Sequence, residues 1–371
     1  MIYKPDCRYF NGEKPCHFKR LCEGCEDYSP MGTRILLIKL AAMGDVLRTT
    51  PLLSALKKRY PKSHITWIVD PASFDLLKDN PRIDRLFTFR PDVCMQLELE
   101  QFDLLLSLDK ETRATSLAMR IQAKKKQGFG LSIQGNIYPL NPECNYAFQL
   151  GIDDELKFRN NQKSYQEIIF DAVDMTYKRE SYELIVNNDD LKYAKDLLKR
   201  SGIRNETIRI GICPGAGALF ANKAWTIEGY VSLINRLNQN PNVQVVLMGG
   251  KAEIEKNKEI KKRIKNPIVD GGNNHSVTQF SALIQECHLM ICGDTLPMHL
   301  AIGHGKHLLA LFGPTCPQEI DLYGRGEIIV SDIECAPCYK RTCDIVDNCM
   351  VKISTEQVYQ SAQRLLKEIK C

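Results

Sequence analysis

The chain has 371 residues, 44% of them hydrophobic and 26% charged, an ordinary globular composition whose length fits two domains better than one. Its formal charge of +5 is spread along the sequence instead of gathered into a tract, which argues against a nucleic-acid partner. No stretch approaches the roughly 18 apolar residues of a membrane-spanning helix, and the start, Met1-Ile2-Tyr3-Lys4-Pro5-Asp6-Cys7, lacks the apolar core of a signal peptide.

The expected location is therefore the cytoplasm. The short basic runs Lys57-Lys58-Arg59, Lys124-Lys125-Lys126 and Lys261-Lys262-Arg263 read as solvated faces, or as peripheral contact with the inner face of the cytoplasmic membrane.

Residues 1–31 form a Cys-rich segment carrying Cys7, Cys16, Cys22 and Cys25. A large chain without a signal peptide favours metal binding over disulfides, and four thiolates suit either a structural zinc ion or an iron–sulfur cluster. An apolar run at 34–39 then leads through a Gly-containing loop into a helical pattern, and similar runs recur at 65–69, 85–89 and 103–108. This alternation predicts β/α repeats around a parallel sheet, an α/β fold. Residues 131–164, rich in Asn, Pro, Gln and Gly, read as a long loop, followed by helices at 164–175 and 189–201. The polar stretch 201–207 is the expected linker closing a first domain at 32–203.

A second series opens at 208–213 and continues through strands at 243–248, 268–270, 288–292 and 308–312, separated by helices at 226–240, 252–265 and 276–286. It defines a second domain at 204–354, with a Cys-rich segment at 335–349 that carries Cys335, Cys338, Cys343 and Cys349 as a second candidate metal set. In the final segment, 355–371, Val358, Ala362, Leu365, Leu366 and Ile369 recur at helical spacing and predict a packing helix. Two doubly wound halves facing one another would leave a cleft at the carboxyl ends of their strands, where such sheets bind ligands.

Three loops carry candidate chemistry. In Lys39-Leu40-Ala41-Ala42-Met43-Gly44-Asp45, Gly44 permits a tight turn and Asp45 is placed at the mouth of the cleft, although an Asp at a helix start also stabilises the helix dipole by about 0.3–1 kcal/mol. The polar pair Thr49-Thr50 follows, then Pro51 and a helix ending before Pro61. In the second half, Cys213-Pro214-Gly215-Ala216-Gly217 brings backbone N–H groups close to a phosphate, and Lys223 adds a mobile positive charge. Asp294-Thr295-Leu296-Pro297-Met298-His299 begins a helix after an apolar strand, an arrangement suited to a pyrophosphate, with His299 one turn in. Gly249 and Glu253 suit close approach of a ribose and a carboxylate for its hydroxyls, or mere dipole compensation, and Ser276 suits the wall of a base pocket.

Taken in order, Gly44-Asp45 with Thr50-Pro51, Gly215 to Lys223, Asp294 to His299 and Phe312-Gly313-Pro314-Thr315 resemble the motifs of the heptosyltransferase family, glycosyltransferase family 9. The resemblance covers nearly all of the chain after Met31. It implies the GT-B architecture of two Rossmann-like domains, the acceptor-binding domain first and the nucleotide-sugar-binding domain second. It implies an ADP-heptose-like donor and a lipopolysaccharide-core or other lipid-linked glycan acceptor. It further implies inverting transfer with Asp45 as general base, and a leaving diphosphate met by Lys223, the Gly215, Ala216 and Gly217 amides and the helix start at Asp294-Thr295. His299 joins Asp45 and Lys223 as a catalytic candidate, in a donor-phosphate or transition-state role; the donor set adds Leu296 with the locally read Gly249, Glu253 and Ser276, and the acceptor set is Gly44, Thr49 and Thr50.

One residue departs from the pattern: the family usually carries glycine where this chain has Leu296. Leucine resists positive φ, which leaves open a different sugar nucleotide or a catalytically inactive binding protein. The carboxyl-terminal cysteines also resemble a pattern found in many family members, so reduced structural thiols or a disulfide pair are alternatives to metal. No two Asp residues are separated by one position, so a metal clamp of the Asp-x-Asp type is absent and no catalytic metal is expected.

Overall fold

The computed structural model of the protein describes residues 3–216 and 221–369. Its strands fall into two six-stranded sheets. The first comprises β1 (Arg34–Ile38), β2 (His64–Val69), β3 (Arg85–Thr88), β4 (Gln101–Ser107), β5 (Gln122–Leu131) and β6 (Ile137–Pro139), in the order β3-β2-β1-β4-β5-β6. The second comprises β7 (Ile208–Cys213), β8 (Val243–Met248), β9 (Val269–Gly272), β10 (Leu289–Gly293), β11 (His307–Phe312) and β12 (Gly326–Val330), in the order β12-β11-β10-β7-β8-β9. Apart from the antiparallel β5–β6 pair, every pairing is parallel.

The two orders are equivalent. In each sheet the first strand sits between the second and the fourth, so β1 and β7 mark the points where strand order reverses and the carboxyl ends of neighbouring strands diverge. The strands beside these points are covered on both faces, which is why they are continuous apolar runs: β2 is buried throughout, as is β10. Ile38 lies level with both Ile68 and Ser107, and Cys292 with Cys213, so the loops leaving β1 and β4, and those leaving β7 and β10, begin side by side.

Two cores result. One gathers Leu36, Ile38, Leu105 and Ile68 against Ala114, Leu117 and Ala118 of the helix Thr112–Arg120. The other gathers Ile210, Ile212, Val245 and Ile291 against Tyr230, Leu233 and Ile234 of the helix Ile227–Leu237. The predicted terminal helix spans Thr355–Glu368, is capped by Ser354 and buries Val358, Ala362 and Leu365 in this second core.

Strand β5 was not expected, because Lys124-Lys125-Lys126 reads as a solvated run. It pairs with β4 in parallel and manages its lysines individually: Lys124 reaches Asp103 at 2.7 Å, and Lys126 donates to the carbonyls of Ala118 and Met119. Residues 131–164 are likewise more ordered than a loop, with β6, short helices at Pro142–Cys144 and Asn145–Gln149, and a wide helical turn at Leu156–Asn160.

The chain divides into two compact units, Met1–Ile152 with Glu167–Glu180, and Asp153–Gln166 with Ser181–Cys371. This division falls at positions other than 201–207. The helix Asn188–Arg200, placed in the first domain from the sequence, belongs to the second unit and packs on the helix Val277–Gln285. No helix among the described residues is long and apolar enough to cross a membrane.

Candidate active site

In the first unit, Asp109 stands just beyond β4, next to the loop leaving β1, and is 5% exposed. Its Oδ2 accepts the Leu40 N–H at 3.0 Å and the Ala41 N–H at 3.3 Å, and lies 3.5 Å from the Lys39 ammonium. Lys39 is buried and also reaches Asp45 Oδ2 at 3.7 Å, while the Arg48 guanidinium reaches Asp45 Oδ1 at 2.9 Å. Asp45 itself keeps 34% of its side chain exposed. It lies in the first turn of the helix Met43–Leu47, whose cap residue is Ala42. The result is a solvent-reaching carboxylate aimed by two cations, one of which is anchored from behind by a second, buried carboxylate.

Three neighbours depart from expectation. Gly44 lies inside the helix Met43–Leu47 and supplies no tight turn. Thr49 and Thr50, expected to touch an acceptor, are fully buried, and their hydroxyls donate to the carbonyls of Asp45 at 2.7 Å and Leu47 at 2.6 Å. Their place is the corner between the helices Met43–Leu47 and Pro51–Arg59, not a ligand surface.

The second unit repeats the scheme at its own reversal point. Lys223, after β7, places its ammonium 2.8 Å from Oδ2 of Asp294, after β10, with both side chains under 20% exposed. Burial favours the neutral acid at Asp294, but the Lys223 ammonium and His299 outweigh it and hold the carboxyl below its usual range. Thr295 caps the helix Leu296–Gly303 by position only, because its hydroxyl turns back to the Gly293 carbonyl at 3.3 Å. Pro297, the second helical residue, has no N–H to offer, so this helix start presents fewer donors than the sequence motif suggests. Leu296 opens the helix with helical backbone, so the position requires no positive φ. His299 is 6% exposed, its ring parallel to that of Tyr182 at 6.4 Å.

Gly215 and Ala216 follow β7; Gly217 lies outside the described residues. A Cβ on Gly215 would fall 2.4 Å from Oε1 of Glu253, so only glycine lets the carboxylate pack there. Glu253 accepts the Gly250 N–H at 2.8 Å, and a Cβ on Gly249 would crowd Glu253 and Asn273. Ser276 spends its hydroxyl as the cap of the helix Val277–Gln285, accepting from the Gln279 N–H at 3.1 Å. Both Glu253 and Ser276 thus have local helix-start bonds.

Sequence reasoning passed over Lys39, Asp109 and Lys256. The signal for Asp109 was present, as an acid directly following an apolar run, but its importance depends on β4 lying beside β1, which only the topology supplies.

Among the described residues, no three His, Cys, Asp or Glu side chains are grouped so as to hold a metal ion. Cys7, Cys16, Cys22 and Cys25 line one small pocket, yet Cys16 Sγ is directed to the Arg20 carbonyl. In the other set Cys335 and Cys343 are exposed, Cys338 is half-buried and Cys349 is drawn into the second core.

The profile described as "Glycosyltransferase family 9 (heptosyltransferase)" matches residues 92–347. A lipopolysaccharide core heptosyltransferase, OpsX of Haemophilus influenzae, is 26% identical over 311 residues, covering 81% of this chain and 84% of that one. Among solved structures, a glycosyl transferase family 9 protein of Veillonella parvula is similar with a TM-score of 0.73 and 20% identity, covering 91% of this chain and 98% of that one. The ADP-heptose lps heptosyltransferase II of E. coli is similar with a TM-score of 0.66 and 19% identity, covering 91% and 99%.

Proposed function

The chain belongs to glycosyltransferase family 9, the heptosyltransferases, and from that premise we propose that it moves a heptose from an ADP-linked donor to a hydroxyl of the lipopolysaccharide core, with Asp45 as general base. The observation that carries the base assignment is the setting of Asp45: exposed enough to meet an acceptor, at the strand-order reversal of its sheet, and aimed by Lys39 and Arg48. In the reaction, the acceptor oxygen forms its bond to the anomeric carbon while the bond from that carbon to the diphosphate oxygen breaks. The hydroxyl proton passes to Asp45, and ADP leaves from the opposite face, inverting the centre. Lys223 meets the charge that grows on the diphosphate, and Asp294 holds that lysine in place. The buried His299, which with Lys223 lowers the pKa of the Asp294 carboxyl, is assigned to the donor phosphate and the transition state. The acceptor side of this work takes place at the cytoplasmic face of the membrane.

Leu296 no longer favours a retired binding protein, since leucine fits the helical backbone at that position. Nucleotide identity is tested by thermal shift with ADP, UDP and GDP. ADP at a hundred times its Kd is expected to stabilise the protein by about 2.7 kcal/mol, unaffected by EDTA. A larger shift with UDP or GDP would assign another sugar nucleotide, and a shift abolished by EDTA would require a metal clamp.

A separate expectation concerns Asp109. Asp109→Asn removes the carboxylate that anchors Lys39 behind Asp45, so the lysine no longer holds the base in one place. The variant should lower kcat by roughly 3- to 30-fold with donor KM unchanged. An unchanged kcat would separate Asp45 from this network.

A further inference from the structure

The helix Ile254–Arg263 sends one side chain into the base of the donor site. The Lys256 ammonium donates to the carbonyl of Pro214 at 3.0 Å and to that of Trp225 at 3.0 Å. Pro214 is the first residue after β7, and Trp225 stands two residues beyond Lys223. One cation therefore joins the chain entering the glycine-containing turn to the chain leaving it.

Both ends of this bridge are otherwise fixed. Pro214 continues a buried strand, while the indole of Trp225 is buried, donates to the Ile353 carbonyl at 2.9 Å and meets Tyr230 edge-on. Glu253, three residues before Lys256, packs against Gly215 from the same side. Backbone carbonyls bonded to an ammonium make stronger bonds than neutral pairs, so the charge matters as well as the shape.

We propose that Lys256 is a positioning residue of the donor site, tying Pro214 to Trp225 and thereby setting where Gly215 and Lys223 stand relative to Asp294. This rests on the donor-site reading above. The charged and titratable groups that face Lys256 are Glu253, and Glu228 and Tyr230 of the helix Ile227–Leu237. Burial pushes its ammonium down to about 8, against the pull of Glu253 and Glu228. As pH rises through that value the lysine loses its charge, and donor affinity should fall with it.

The test uses the full chain with ADP as the probe. In K256M, amide hydrogen exchange should quicken in peptides covering 208–216 and 221–235. ADP Kd and donor KM should rise about tenfold or more, and kcat should fall with them, because Lys223 no longer stands where the diphosphate charge grows. In the wild type, ADP affinity should drop between pH 7 and 9.5, whereas K256R, which stays charged, should keep it. Unchanged exchange together with a K256M Kd within about twofold of wild type would overturn the proposal. Should K256M not fold, the pH comparison decides: parallel profiles for wild type and K256R overturn it, and a drop confined to wild type supports it. A wild type that binds no ADP at all would instead sink the donor reading, and the exchange difference would still report on the brace.

Discussion

Asp45→Asn should lower kcat by about 10²–10⁴-fold, the span that a positioned general base contributes. Asparagine keeps the size of the side chain and an oxygen for Arg48, so the geometry around the helix Met43–Leu47 survives. What it removes is the lone pair basic enough to take a proton. If Asp45 served only as a negative charge near a helix start, the substitution would cost about 0.3–1 kcal/mol of stability and nothing in turnover. The two roles therefore separate cleanly when kcat, ADP affinity and melting temperature are measured on the same variant. A large fall in kcat, with ADP Kd within about twofold and an intact melting transition, marks an interaction made in the transition state alone. Near-normal kcat with a small loss of stability would return Asp45 to the helix dipole.

The second large effect is expected at Asp294. Asp294→Ala leaves the Lys223 ammonium without its 2.8 Å carboxylate partner in a largely buried place. Breaking such a pair from one side costs about 3–5 kcal/mol, because the remaining charge keeps its desolvation penalty. The variant should show a lowered melting temperature and weaker donor binding, since Lys223 has then lost the carboxylate that holds it at the diphosphate position. Asp294→Asn, which retains a hydrogen-bond acceptor, should fall between wild type and alanine. The pH dependence has a definite sign. The folded-state pKa of Asp294 lies below the ordinary carboxylate value, so its contribution to stability is complete above about pH 4 and is lost as pH falls through the lowered value. Denaturation curves of wild type and Asp294→Ala should therefore converge in acid and diverge toward neutrality. A constant difference across that range would show that the ion pair does not carry the effect.

The central strands were legible because burial on both faces forces them to be apolar: β1, β4, β7 and β10 stand out as short hydrophobic runs ending in polar loops. β5 was hidden because burial is confined to its last residues, while its first half carries three lysines whose partners come from elsewhere in the fold. β12 was hidden for a related reason, being an edge strand with no fully buried residue.

The candidate site divides the same way. Asp45, Lys223 and Asp294 could be named from motif order, yet the Lys223–Asp294 pair joins residues 71 apart in sequence, and Lys39–Asp109 joins residues 70 apart. Those pairs exist because β10 lies beside β7 and β4 beside β1, an adjacency that no local pattern encodes. Thr49 and Thr50 misled in the opposite direction. Small polar residues near a loop suggest ligand contact, but a buried hydroxyl must find a partner, and here the nearest is the backbone of its own turn.

The equivalence of the two sheets gives the account a simple physical form. Each unit places a lysine after its reversal strand and an aspartate after the neighbouring strand, and each pair steadies the residues proposed for one half of the reaction. The most direct measurement is mass spectrometry of products from ADP-heptose and a heptose-free lipopolysaccharide core, with wild type and Asp45→Asn in parallel. ADP and a heptosylated core are expected from wild type, and about a hundredfold less of both or lower still, over the same time, from the variant at matched ADP binding. Equal product from both proteins, or none from wild type while another nucleotide heptose is consumed, would contradict it.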